Sequence, residues 1–173
     1  MPGMVDPNFS TTVTLICEHN DEGALGIVIN RPLTVRLSEL FEQLHVENPN
    51  PTAGDYPVWA GGPVGTERGF VLHAPGWSYE NTLAVSDDIQ LTLSRDVIDD
   101  MAIGEGPDRS IVALGYAGWQ AGQLEDEILA NSWLNVPAPP ELVFDTPYAK
   151  RWDLAARTLG IDIARMSPDA GHA

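Results

Sequence analysis

The stretch that decides the fold is SIVALGYAGWQAGQLEDEILANSW, residues 110–133. Residues 111–114 form a continuous apolar run that ends in glycine, which is typical of a strand buried on both faces. Three glycines follow, and because glycine has no Cβ they predict a sharp turn or a close backbone approach. Residues 125–127 are acidic and open a helix, where the helix dipole favours carboxylates. We therefore predict a strand, a glycine turn and an acidic helix at the centre of the fold.

The segments around this stretch predict a mixture of strands and helices. Residues 11–19 and 24–30 are rich in β-branched residues and are joined by a turn that ends in Gly23, which is typical of an antiparallel hairpin. Further strands are expected near 58–59, 70–73, 89–93 and 142–144, and helices over 37–44, 95–103 and 147–159. Strict strand–helix–strand alternation is missing, which favours an α+β fold. We expect residues 1–165 to form one domain and 166–173 a frayed tail.

Composition limits the classes of function. The chain has 173 residues, with nine Lys and Arg against 25 Asp and Glu, and a formal net charge of -16. This charge repels phosphate backbones, so it disfavours direct nucleic-acid binding. The single cysteine excludes an internal disulfide and fits a reducing compartment. Because the sequence shows neither a signal peptide nor an apolar run of membrane-spanning length, we expect a cytoplasmic protein without a membrane span.

Cys17 and His19 are the candidates for catalysis. They lie two residues apart on a predicted strand, so both side chains should point to the same face. A thiol beside an imidazole is the arrangement of a nucleophile or of a redox sensor. In the alternative interpretation, Cys17 is a small core residue and His19 caps a turn. The acidic charge of the chain favours this alternative, since a thiolate needs a nearby cation and only Arg31 is close in the predicted hairpin.

Polar and glycine positions at strand ends predict a binding groove. Asn30 and Arg31 end the second strand, where the guanidinium could bind a carboxylate or phosphate, or could form an ordinary surface ion pair. Gly61 and Gly62 could present backbone N–H groups to an anion, although a tight structural turn is the more frequent use. His73 ends another strand and is either a cleft residue or a satisfied core histidine.

Aromatic residues beside the glycines are the remaining binding candidates. Tyr116 and Trp119 could be recognition anchors, yet the same residues could equally pack in the core. The four histidines have no metal-ligand spacing, and P-loop, dinucleotide and nucleophile-elbow motifs are missing from the sequence. We therefore predict neither a metal nor a cofactor.

Five motifs, taken in chain order, resemble those of the AlgH/YqgE family: ICEH at 16–19, LGIVINRP at 25–32, GGPV at 61–64, RGFVLH at 68–73 and GYAGWQAGQLEDEI at 115–128. The resemblance extends from Met1 to about Ile163. It implies a bacterial, cytoplasmic α+β protein with a mostly antiparallel split sheet that curls into a partial barrel with flanking helices. It also implies a link to transcription, since the AlgH name comes from a proposed regulator of alginate synthesis.

The family's recurrent polar residues, carried over by position, imply one shared groove. These residues are Cys17, His19, Asn30, Arg31, His73, Tyr116, Gln123 and Glu125. The chain departs from the family pattern at its start, where an apolar strand usually precedes the proline element found here at residues 2–7. Either the true start lies upstream or the sheet lacks an edge strand, and an open edge would invite self-pairing.

Three hypotheses of function follow. The leading one is a non-enzymatic regulatory or binding protein, with a groove for a peptide or a small anionic ligand near Arg31, Gly61-Gly62 and residues 115–123. The second is a thiol-based enzyme or redox sensor that uses Cys17 and His19. The third is a transcriptional regulator that acts through a partner, because the charge opposes direct contact with DNA. The identity of the partner and the oligomeric state cannot be predicted from the sequence.

Overall fold

The computed structural model describes residues 9–47 and 49–160. The predictions for residues 2–7 and for the tail 166–173 fall outside these ranges. The strands are β1 Thr14–Asn20, β2 Gly23–Val28, β3 Pro32–Arg36, β4 Pro57–Ala60, β5 Val64–His73, β6 Thr82–Ala84, β7 Gln90–Thr92 and β8 Ser110–Gln120. The helices are α1 Leu37–Gln43, α2 Pro51–Gly54, α3 Asp96–Ile103, α4 Gln123–Leu129 and α5 Tyr148–Thr158, and a π-helical turn spans Glu141–Asp145.

The sheet is built on β8. One edge of β8 pairs antiparallel with β5. The other edge is shared, because residues 112–114 pair parallel with β4 and residues 117–120 pair antiparallel with β2. The sheet is therefore split where β4 gives way to β2, and it curls until it is nearly closed into a barrel with one seam. Together with the flanking helices, this confirms the predicted α+β fold with its mostly antiparallel split sheet.

The core lies on both sides of β8, since alternate residues of a strand point to opposite faces. Ile111 and Ala113 pack in one cluster with residues of β1, β2 and β5. Val112 packs on the other side against α1 and α3, which contribute Phe41 and Val97 among others. The prediction that this strand is buried on both faces is confirmed.

Of the three glycines in residues 115–122, only Gly122 lies in the predicted turn. β8 continues through Gly115 and Gly118 to Gln120, and the chain turns only at residues 121–122. Gly115 has a φ of 74°, and a Cβ placed on Gly61 would lie 2.3 Å from the Gly115 carbonyl oxygen. Glycine at 61 and 115 therefore allows two backbones to touch where the sheet splits.

Four short elements differ from the predictions. The expected strand at 142–144 lies inside the π-helical turn, and β3, α2 and β6 were not predicted. These segments are only three to five residues long, so they contain too few residues to show a hydrophobic periodicity.

The last helix has a different buried face from the one that its apolar residues indicate. α5 begins after Pro147, and the Thr146 hydroxyl donates to the Glu141 carbonyl at 3.0 Å. The buried positions are Arg151 and Ala156, because the helix is anchored to the sheet through a guanidinium. The spacing of Tyr148, Trp152, Ala155 and Leu159 predicts a different buried face, but Tyr148 and Leu159 are exposed. Among the described residues, no helix has the length and apolar character needed to cross a membrane.

Candidate functional site

An apolar groove of about 290 Å³ runs beside β1. One wall is β1 with the residues just before it, from Thr12 to His19, and the opposite wall comes from α4, the chain after α4, and α5. None of the described residues that line the groove is Lys, Arg, Asp or Glu. The large side chains of the lining are Trp119, Leu124, Ile128, Trp133, Leu142, Trp152 and Leu159.

β1 is an edge strand beside this groove, since within the described ranges it pairs only with β2. The Ile29 N–H donates to the Val13 carbonyl at 2.9 Å, so Val13 directs its backbone toward β2. Val28, which lies opposite Thr14, instead donates at 2.8 Å to the loop after β4, away from β1. Because backbone direction alternates along an antiparallel pair, the N–H and C=O groups of Thr14 and Ile16 point out of the sheet.

The side chain of Thr14 is a further unusual feature of this wall. Its Oγ1 atom is buried and makes no hydrogen bond within the part of the chain that the structure describes. Buried hydroxyl groups normally have a partner, since leaving one unsatisfied costs about 1–3 kcal/mol. Within the described residues, the edge of β1 therefore carries one unsatisfied side-chain hydroxyl beside the apolar groove.

A β-bulge separates Cys17 from His19. The register of β1 with β2 shifts between Ile16 and Glu18, so Cys17 is the extra residue. An extra residue reverses the alternation of the strand beyond it. His19 consequently lines the groove together with Ile16, whereas Cys17 packs in the core cluster. The prediction that the two side chains share one face is wrong.

The surroundings of Cys17 do not activate its thiol. The residue is 6% exposed, and burial raises the pKa of its thiol to about 12. The Sγ atom donates to the Leu15 carbonyl at 3.5 Å, and the nearest candidate base, His19, contacts Glu125 instead. The thiol is therefore protonated at neutral pH, and a protonated thiol is a poor nucleophile.

Glu127 holds the aromatic residues of the groove together. Its Oε2 atom accepts hydrogen bonds from the indole N–H groups of Trp119 at 2.9 Å and Trp133 at 2.7 Å, and its Oε1 accepts from Gln123 Nε2 at 2.9 Å. Phe9 packs against both indoles, with centroids 6.4 and 5.4 Å away. Burial alone would raise the pKa of Glu127, but the three donors outweigh it and lower that pKa below its usual value.

His19 and Glu125 mark the end of the groove next to α4. His19 Nε2 lies 2.6 Å from Glu125 Oε1, and both side chains are about half exposed. The backbone N–H of Glu125 and then His19 lower the pKa of this carboxyl group. Gln123 sits beside them, where its Oε1 atom accepts from the Gln120 N–H at 3.0 Å and fixes the start of α4.

Asn30 and Arg31 hold the segment that leads into β1. Asn30 Oδ1 accepts from the Val13 N–H at 2.8 Å, and its Nδ2 donates to the Thr11 carbonyl at 2.9 Å. Arg31 donates through Nη2 to the Ser10 carbonyl at 2.8 Å. These contacts fix the backbone at the start of the groove wall.

Gly61 and Gly62 allow the backbone after β4 to pass close to the backbone of β8. The Gly61 N–H donates to the Leu114 carbonyl at 2.8 Å, and a Cβ on Gly62 would lie 2.1 Å from the carbonyl carbon of Tyr116. The Gly61 N–H therefore binds backbone rather than an anion. Tyr116 packs its ring against Phe70, with centroids 5.5 Å apart.

His73 is a neutral core histidine. It is fully buried, its Nδ1 lies 2.8 Å from the Ala74 carbonyl, and its Nε2 lies 2.8 Å from Thr92 Oγ1. A carbonyl can only accept, so Nδ1 carries the proton and Nε2 accepts from the threonine hydroxyl. Burial lowers the pKa of His73, which agrees with this assignment.

The structure does not collect all the predicted residues in one recess. His19 and Trp119 line the groove, and Gln123 and Glu125 lie at its α4 end. The other predicted residues lie elsewhere: Cys17 and His73 are in the core, Asn30 and Arg31 follow β2 and contact residues 10–13, and Gly61, Gly62 and Tyr116 are at the split of the sheet. Within the described residues no group of His, Cys, Asp and Glu could hold a metal ion.

Sequence reasoning missed Arg151, which fixes the α5 wall of the groove. Its guanidinium is 4% exposed and lies 5.2 Å from the centre of the Trp59 ring. It donates to the Thr146 carbonyl at 3.0 Å and also to the Ile29 carbonyl of the sheet. Glu127 and Trp133 were also missed as a pair. The only signal for Glu127 was its spacing of four residues from Gln123 on a helix.

These features define an α+β protein with a split, nearly closed sheet and an apolar groove at its edge strand. A family model described as AlgH-like matches residues 1–164, so the chain belongs to the AlgH-like family. A UPF0301 protein of Thiobacillus denitrificans is 53% identical, with all of this chain and 93% of that protein covered. A UPF0301 protein of Saccharophagus degradans is also 53% identical, over 100% of this chain and 85% of its own length.

Two solved structures share the fold. The solution structure of the AlgH protein from Pseudomonas aeruginosa has a TM-score of 0.82 and 46% identity, over 100% of this chain and 92% of that one. A protein from Corynebacterium diphtheriae has a TM-score of 0.69 over 90% of this chain and 82% of its own, at 21% identity, and indicates the fold alone. The resemblance found in the sequence is thereby confirmed.

Proposed function

We propose that the protein is a non-enzymatic binding protein whose groove beside β1 takes an extended, apolar segment of a partner polypeptide. One observation carries this proposal: the backbone N–H and C=O groups of Thr14 and Ile16 point away from β2, along a strand edge that is lined by apolar side chains. An extended peptide can add a strand to such an edge, where main-chain hydrogen bonds give affinity and pockets for alternate side chains give specificity.

The size and charge of the groove favour a peptide over a small anionic ligand. Small-molecule pockets have volumes of about 300–1,000 Å³, and this groove, at about 290 Å³, has room for a few side chains. The described lining residues include no lysine or arginine that could bind an anion. A segment with aliphatic side chains at alternate positions matches both facts.

The other hypotheses have less support. A thiol mechanism needs a thiolate, and the burial of Cys17 opposes one. A transcriptional regulator that acts through a partner is compatible with a polypeptide groove, but no contact in the groove favours it. We keep a cytoplasmic location and a single domain over residues 1–165 as parts of the proposal, on the basis of the lone thiol and the chain length.

Fluorescence anisotropy with a labelled heptapeptide that carries valine at alternate positions tests the proposal. The comparison is between the unchanged protein, Thr14→Pro and Thr14→Val. Proline removes the outward N–H but leaves the β2 ladder intact, because an edge position tolerates proline on its solvent side. We expect Thr14→Val to bind like the unchanged protein, and Thr14→Pro to bind roughly tenfold more weakly.

Two outcomes would contradict this proposal. One is equal binding by Thr14→Pro, with circular dichroism showing that each variant is folded. The other is a groove that the protein itself occupies, which would appear either as a dimer in light scattering or as peptide binding seen only after removal of residues 161–173.

A further inference from the structure

We infer that the bound segment runs antiparallel to β1 and places a basic group at its own N-terminal end against Glu125. This inference rests on the proposed peptide groove and adds the chemistry and direction of its occupant. It identifies the ligand as a segment that begins with lysine, arginine or a free α-ammonium group and continues with alternate aliphatic residues.

Among the described residues, acidic side chains border the end of the groove at His19. The lining itself carries no Lys, Arg, Asp or Glu among the described residues, so it cannot discriminate ligands by full charge. At the His19 end, the two bordering elements are the β1–β2 hairpin and α4. Residues 125–127 of α4 are all carboxylates, of which Glu127 is already bound by two indoles and Gln123, whereas Glu18 and Glu22 of the hairpin line a different pocket.

No cation in these elements offsets the carboxylates. Residues 14–28 and 110–135 contain neither lysine nor arginine. Glu125 contacts His19 through Oε1, and a carboxylate has two oxygens with about four acceptor positions. Glu125 can therefore accept from an incoming ammonium group, and its side chain is about half exposed to receive one.

The direction of the segment follows from the position of this acidic end. His19 lies near the C-terminal end of β1, which spans Thr14–Asn20. A strand added antiparallel starts at that end, so its first residue and its α-ammonium group meet Glu125. Antiparallel pairing is also slightly more stable per residue than parallel pairing.

Three labelled peptides of the same composition class test the inference: one with an N-terminal lysine, one with an N-terminal glutamate and one with a C-terminal lysine, each with valine at alternate positions. Each N-terminus is acetylated, so that only the side chain differs in charge. We expect the N-terminal lysine peptide to bind about two- to fivefold more tightly than the others, since an exposed ion pair adds only modestly to affinity. Glu125→Gln should abolish this preference. Asp126→Asn also removes one negative charge from this helix, but it should preserve most of the preference for the N-terminal lysine peptide.

The outcomes separate the two proposals. If the three peptides bind equally, or if Glu125→Gln keeps the preference, the basic end is refuted while peptide binding stands. If the C-terminal lysine peptide binds most tightly, and its advantage in affinity disappears in Glu125→Gln, the antiparallel direction is refuted. If no peptide binds, the proposed function itself is refuted.

Discussion

Replacing Glu127 with glutamine should destabilise the protein far more than its partly exposed position would indicate. The carboxylate accepts from two indole N–H groups and from Gln123, at 2.7–2.9 Å. In Glu127→Gln, the amide oxygen can still serve the two indoles, but both bonds lose their charge assistance, which is about 1 kcal/mol each. The new NH₂ group then faces the Gln123 NH₂ group. Gln123 cannot turn around without losing its bond from the Gln120 N–H.

The expected loss in free energy of unfolding is about 2–3 kcal/mol, after allowance for solvent at this partly exposed carboxylate. Urea unfolding followed by tryptophan fluorescence measures it. Asp126→Asn is the matched control, because it removes a charge from the same helix at an exposed position and should cost less than about 0.5 kcal/mol. Equal costs for the two variants would refute the reasoning that Glu127 holds the aromatic wall together.

Three further predictions concern residues in the interior of the protein. Gly61→Ala should cost about 1–3 kcal/mol or prevent folding, because its Cβ would meet the Gly115 carbonyl, whereas Gly69→Ala meets nothing and should be close to neutral in the same urea assay. His73, whose pKa is lowered by burial, should titrate by NMR below the ordinary histidine value of about 6.5, and its contribution to stability should be full above pH 6.5 and decline as the pH falls below that value. Cys17 should resist alkylation in the folded protein at pH 8, and rapid modification would contradict its burial.

The elements that the sequence predicts well are those with a clear local period. The β1–β2 hairpin and the buried first half of β8 follow from β-branched and apolar runs, and both are present. The turn was expected too early in the chain, because a glycine needed for a turn and a glycine needed for close approach look alike in a sequence. The bulge at Cys17 is invisible for a related reason, since one extra residue in a strand leaves no compositional mark.

The candidate site was only partly predictable because its geometry is tertiary. Trp119 was identified as a possible anchor, but the Glu127 carboxylate that holds it comes from the next helix. Arg151 lies inside a helix between a lysine and a tryptophan, where nothing distinguishes a buried guanidinium from an exposed one. The position of the groove depends on which strand lies at the edge of the sheet, and local sequence patterns do not predict the order of the strands.

Hydrogen–deuterium exchange of the β1 amides, with and without the alternate-valine heptapeptide, tests the proposed groove most directly. Because the backbone direction alternates along β1, the proposal predicts that the peptide slows exchange at Thr14 and Ile16. Exchange at Leu15, whose N–H already faces β2, should change little. Protection spread evenly over the three amides, or no protection at saturating peptide, would contradict strand addition at this edge.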